Sequence, residues 1–175
     1  MIWKDWLVRK LSGGIAVVVG CVLGLGAAGC SSSGSHLVAD TRVRAYTGYQ
    51  ACLLTGSRGI FGSAAPAWAG METGSLATHA KVSYLAVRGP QTSGYAATYV
   101  ATDVVQKCDL VIADGAAEEA AVIASATRFR STRFAVVGTT AGPVAGAVNV
   151  AIVSGNAAAI RSGVASLVER DAGAS

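Results

Sequence analysis

From residue 49 to residue 170 the chain alternates between two hydrophobic patterns. Short, mostly apolar runs are followed by longer segments whose apolar positions recur every three or four residues. The first pattern suits a buried strand and the second a helix lying on a sheet. Strands are predicted at "YQACLLT" (49–55), "KVSYLAV" (81–87), "DLVIA" (109–113), "RFAVVG" (133–138) and "VNVAIVS" (148–154). The third is apolar almost throughout, as a central parallel strand covered on both faces should be. Helices are predicted over 63–79, 95–107, 116–129 and 156–170. In the first, Ser63 stands where it can cap and Pro66 falls in the opening turn, where a missing N–H costs little. Ala64, Trp68, Met71 and Ser75 share its inner face, and Gly70 and Gly74 permit close packing on a sheet. The second turns Ala97, Val100, Ala101, Val104 and Val105 inward, and the last Ile160, Val164, Leu167 and Val168. Glu118 and Glu119 in the first turn of the third favour its dipole.

Strands alternating with helices require crossover connections and hence a parallel sheet. Right-handed crossovers then give a three-layer, doubly wound α/β lobe of about five strands in the order 2-1-3-4-5. Its crevice opens between strands 1 and 3, beyond their carboxyl ends. "GSRGIFG" (56–62) and "DGAAEE" (114–119) line that crevice.

The front of the chain changes the setting. "MIWKDWLVRK" carries Lys4, Arg9 and Lys10 against Asp5, and Leu11 to Gly29 holds no charge. A basic start, an apolar stretch and the small-residue exit "GAAGC" read as an export signal. Cleavage before Cys30 and acylation of that cysteine would make a lipoprotein, held by the polar tether "SSSGS". Two acyl chains, palmitate-like, give stable anchoring at about 0.8 kcal/mol per buried methylene. "VVGC" ending at Cys21 also fits a lipidation site, and the alternative to cleavage is an uncleaved membrane helix. Each reading places the remainder outside the cytoplasm. The expected organisation is therefore a signal over 1–29, a lipidated flexible tether over 30–48, the α/β lobe over 49–170 and a disordered tail over 171–175.

Removing residues 1–29 leaves 146 of the 175 residues. Three basic residues and one acidic residue go with them, so the net charge falls from +4 to +2. So weak a balance, with no basic run and no aromatic–basic interleaving, is no nucleic-acid footprint. Cys52 and Cys108 remain as an even pair in an oxidising compartment. They fall in strand 1 and just before strand 3, so either a disulfide or two buried free thiols is open; a bridge requires Cα atoms within about 7 Å. The two histidines, His36 and His79, lack partners at metal-ligand spacing, and no metal or cofactor is expected.

The glycine loop is not a nucleotide cradle. Gly56, Gly59 and Gly62 do not have the Gly-x-Gly-x-x-Gly spacing that lets a pyrophosphate reach a helix N-terminus, and no lysine completes a phosphate loop. Nor does it carry catalysis. Ser57 is not in a Gly-x-Ser-x-Gly elbow, and His79, the nearest candidate base, is expected at the far end of the first helix. Asp103 and Asp109 read as solvated charges. Asp114, at the carboxyl end of strand 3, is the one acid in a useful place, with capping of the next helix its expected role.

"ACLLTGSRGIFG…AWAGM", "KVSYLAV" and "YVATDVVQKCDLVIADGAAEEAAVIASATRFRSTRFAVVG" resemble the first lobe of the basic membrane protein family, lipid-anchored substrate-binding proteins of ABC importers that bind purine nucleosides. The resemblance covers roughly residues 49–154. It implies a single lobe of a type I periplasmic-binding-protein fold, a non-enzymatic role, a nucleoside-like ligand and an ABC permease as partner. It places Thr55, Gly56, Ser57, Arg58 and Asp114 on the ligand rim, with Arg58 donating charge-assisted hydrogen bonds and Asp114 accepting from a sugar hydroxyl. Two departures stand out. The family has an aspartate where Gly56 stands, and its stacking phenylalanine is missing, with Phe61 or Trp68 as substitutes and Trp68 expected in the core. A second lobe to close the cleft is also missing. The alternative is a structural or protein-interaction lipoprotein that kept the fold and lost the ligand, with a homodimer replacing the absent lobe.

Overall fold

The computed structural model describes residues 45–138 and 147–174. The segment expected to be a signal, the expected lipidation sites Cys30 and Cys21, the expected tether up to residue 44 and most of the loop after residue 138 lie outside the described residues. Five strands and four helices alternate along the described chain: β1 (Gln50–Thr55), α1 (Ala65–Thr78), β2 (Lys81–Ala86), α2 (Ser93–Val105), β3 (Leu110–Asp114), α3 (Ala116–Ala126), β4 (Arg133–Val137), β5 (Val150–Val153) and α4 (Ala157–Gly173). The sheet is parallel throughout, in the order β2-β1-β3-β4-β5. The alternation of patterns had predicted this order, because each crossover helix forbids a hairpin between consecutive strands.

Strand side chains alternate between two cores. Ala51, Leu53, Leu110, Ile112, Ala135 and Val137 point to the face covered by α1 and α4. Cys52, Leu54, Val111, Ala113, Phe134 and Val136 point to the face covered by α2 and α3. Each Leu, Val or Ile buried this way stabilises the fold by about 1.5–3 kcal/mol relative to exposure. The edge strands β2 and β5 are only partly covered, and Tyr84 on β2 forms a T-shaped pair with Trp68 at a centroid distance of 5.6 Å.

Several local expectations are corrected. The buried side of α1 is Ala67, Gly70, Met71 and Gly74, with Trp68 and Ser75 half-buried at its margin. Gly70 and Gly74 serve a helix contact, not a sheet contact. A Cβ on Gly70 would stand 2.9 Å from Val164 Cβ, and one on Gly74 2.8 Å from Val168 Cβ, both on α4. Val105 is 81% exposed, because α2 buries Ala96, Val100 and Asp103 instead. Asp103 is thus no solvated charge; it is 1% exposed. Residues 171–173 are helical, not a tail. Asp171 reaches Arg133 Nε at 3.1 Å and Ala172 packs on the α1–α4 core, which carries α4 past residue 170.

A disulfide joins Cys52 to Cys108, with Cα atoms 5.9 Å apart. It staples β1 to the segment entering β3. The loop it closes stabilises by about 2–4 kcal/mol, chiefly by restricting the unfolded chain.

Candidate functional site

Thr55 and Asp114 are the last residues of β1 and β3, and they pair across the sheet. From these ends the chain departs to opposite faces, β1 into α1 and β3 into α3. This is the switch point at which an open α/β sheet offers a crevice. The concavity there has a volume of about 340 Å³ and is lined by Thr55, Gly56, Ser57, Arg58, Phe61, Ser63, Gln91, Asp114 and Glu118 among others.

The glycine loop builds its near wall as a turn. The Gly59 N–H donates to Gly56 O at 2.9 Å, and Gly59 and Gly62 have φ of +64° and +89°, a region that favours glycine. Gly56 serves a close approach instead. A Cβ there would stand 3.1 Å from Gln91 Oε1 and 3.9 Å from Glu118 Oε1. Gln91 is held in this pose by its own amide, which donates to Val87 O at 3.2 Å and Gly89 O at 3.0 Å. The turn leaves Ser57 and Arg58 exposed on the rim and Phe61 on the lip, 75% exposed.

The floor is acidic. Ser63 was expected to cap α1, but its hydroxyl donates to Asp114 Oδ1 at 3.1 Å, and the N-cap position, Ala64, has no side-chain cap. Asp114 in turn does not cap α3; Gly115 holds that position with φ +124°. Glu118 folds back over Gly115, where any Cβ would collide with Glu118 Oε2. Glu118 is 2% exposed, and its Oε1 has no hydrogen-bond partner. Burial raises the Asp114 pKa, with the Ser63 hydrogen bond opposing. Burial also raises that of Glu118, opposed by its own backbone N–H and reinforced by the charge of Asp114. Two partly desolvated carboxyls thus line the concavity with acceptor capacity to spare.

No protein-family profile matches the chain, and no curated protein matches it. Solved structures do. A putative lipoprotein from Peptoclostridium difficile 630, a fragment, superimposes with a TM-score of 0.58 at 15% identity, covering 70% of this chain and 98% of that one. The lobe shares that protein's fold. A solute-binding protein of an ABC transporter system from Aeropyrum pernix K1 aligns with a TM-score of 0.49 at 19% identity over 59% of this chain, which spans 28% of that protein's length.

All five residues expected on the rim, Thr55, Gly56, Ser57, Arg58 and Asp114, line the one concavity. Phe61 lines it too, whereas Trp68 packs against the core beside Tyr84. His79 is the C-cap of α1, a helix of 14 residues that begins beside the loop, so the helix length separates it from Ser57. At 1.5 Å per residue that is about 20 Å. Ser63, Ala64 and Gln91 escaped the sequence reading, whereas Glu118 lies in the 114–119 run expected to line the crevice, although it was not placed among the ligand contacts. For Glu118 a signal existed. An acid one turn into a helix that starts at the carboxyl end of a central strand faces the same crevice as the strand's last residue. For Gln91 none did, since it arrives on the turn after β2.

Proposed function

We propose that this chain is a non-enzymatic, lipid-anchored lobe on the extracytoplasmic face of a cell membrane that holds a small, nucleoside-like solute on the shelf between β1 and β3. One observation carries the reading. Every residue expected to contact ligand faces a single concavity of about 340 Å³, within the size range of small-molecule sites. Its parts suit a molecule with hydroxyls at one end and a flat ring at the other. Asp114 and Glu118 accept from sugar hydroxyls, Arg58 donates from the rim, and the exposed ring of Phe61 stacks on the base. The acid that the resemblance expects at position 56 has its counterpart in Glu118, whose Oε1 sits 3.9 Å from where a Cβ on residue 56 would be. A disulfide in the core fits an oxidising compartment, and acylation at Cys30 supplies the anchor. An ABC permease is the partner that such a lobe would serve.

Calorimetry of the chain with purine nucleosides tests the reading. Saturable binding is expected, weakened roughly 10–100-fold by Asp114→Ala, in line with about 1.5–3 kcal/mol for a hydrogen bond to a charged group. No heat at millimolar nucleoside would contradict it.

A second reading rests on Phe61. A phenylalanine 75% exposed at the lip of an open concavity also suits a protein surface that closes over it, a second copy of the chain included. Sedimentation separates the two: a dimer that Phe61→Ser dissociates supports closure by a copy, and a strict monomer removes it.

A further inference from the structure

We propose that reduction of the Cys52–Cys108 disulfide opens a buried divalent-metal site of the zinc class, with Cys52 Sγ, Cys108 Sγ and the Asp103 carboxylate as ligands. The site lies toward the amino ends of β1 and β3, away from the shelf, and is independent of what the shelf binds.

The three donors lie within 4.8 Å of one another and all three residues are buried. They arrive from three elements. Cys52 points from β1 to the α2 face. Asp103 continues the inner row of α2 after Ala96 and Val100. Cys108 enters β3 with its N–H donating to Asp103 O at 3.1 Å, which ties the end of α2 to the sulfur pair. Asp103 Oδ2 has no hydrogen-bond partner. A buried polar atom without a partner is costly, and a dication held by this oxygen and two thiolates supplies one.

Tetrahedral zinc, with bonds of about 2.0–2.3 Å, sets its donors about 3.3–3.8 Å apart. The sulfurs reach that spacing by side-chain rotation. Gln50 Nε2 stands 3.5 Å from Cys52 Sγ and 3.9 Å from Cys108 Sγ. Turning this amide over offers Oε1 as a fourth ligand. The Ser83 hydroxyl, 3.4 Å from Cys52 Sγ, remains as a donor to the coordinated sulfur. A phosphine reductant breaks the S–S bond; with water it becomes phosphine oxide, and two thiols form. Zinc then displaces both thiol protons, and any proton held by Asp103, to the buffer and binds two thiolates and the carboxylate.

The test uses the full chain carrying Cys21→Ser and Cys30→Ser, so that only Cys52 and Cys108 supply sulfur. Competition with a chromogenic chelator is expected to show one zinc per reduced chain, tighter than about 1 µM, and none on the oxidised chain. Cobalt(II) added to the reduced chain should give thiolate charge-transfer absorption. Asp103→Asn should weaken zinc binding at least about tenfold. Equal uptake by oxidised and reduced chains, undiminished binding by Asp103→Asn, or no uptake by a reduced chain that circular dichroism shows folded would each overturn the site. If reduction unfolds the chain, added zinc should restore its structure, and failure to do so counts equally against it.

Discussion

Position 103 shows how one side chain sets a property of the whole fold. The helical pattern of α2 puts this aspartate in line with Ala96 and Val100, and burial raises its pKa from 3.8 to about 7. The folded chain therefore holds a proton that the unfolded chain has released. The stability this contributes is complete below about pH 4, declines by up to roughly 1.4 kcal/mol per pH unit as pH rises toward 7, and is gone above it. Asp114 and Glu118, also shifted upward, act with the same sign. Denaturant unfolding of the oxidised chain is expected to show lower stability at pH 8 than at pH 5, with Asp103→Asn flattening most of the difference. An unchanged slope would place the proton elsewhere. At this scale the sequence was least informative. A charge near a helix end reads as solvated until the neighbouring elements are known. Ser63 and Asp114 exchanged their expected capping roles for a bond to each other, because β3 and the start of α1 meet only in the folded chain.

At the scale of elements, the hydrophobic alternation was enough to place all the strands and helices of the described lobe and their sheet order. Strand interiors are covered on both faces and leave a signal that needs no knowledge of neighbours. Helix faces were less legible where a helix packs on another helix, as α1 does on α4. The two glycines of α1 looked like a concession to the sheet, yet it is Val164 and Val168 that need the room. A pair of substitutions separates these roles. Gly74→Ala would bring a Cβ to 2.8 Å from Val168 Cβ and 3.1 Å from Ala165 O. Overpacking of this kind costs about 1–3 kcal/mol, more than the up to about 1 kcal/mol that alanine gains in helix propensity. Gly94→Ala in the first turn of α2 meets nothing within 4 Å, and should stabilise by about 0.5–1 kcal/mol. Thermal melts should move in opposite directions, and a stabilising Gly74→Ala would show that α4 yields at this contact.

The molecule as a whole presents a parallel sheet whose two ends differ in character. Toward the amino ends a disulfide ties β1 to the entry of β3, and the Cys108 N–H, donating to Asp103 O, ties that entry to the end of α2. At the carboxyl ends the chain splays apart, leaving a polar floor under an aromatic lip. The location of the shelf was legible because it follows from strand order alone. Its chemistry was partly legible: the loop after β1 and the 114–119 run after β3 line it as expected, but Gln91 reaches it from the turn after β2 and Ser63 from just before α1. The role proposed for that shelf is to hold a small solute. Amide chemical shifts followed by NMR while a purine nucleoside is titrated into the chain examine it directly. Saturable shifts confined to the backbone of Gly56, Ser57, Gly115 and Ala116 are expected, saturating at roughly 10–100-fold higher nucleoside in Asp114→Ala; no shifts, or shifts centred on another face of the lobe, would contradict it.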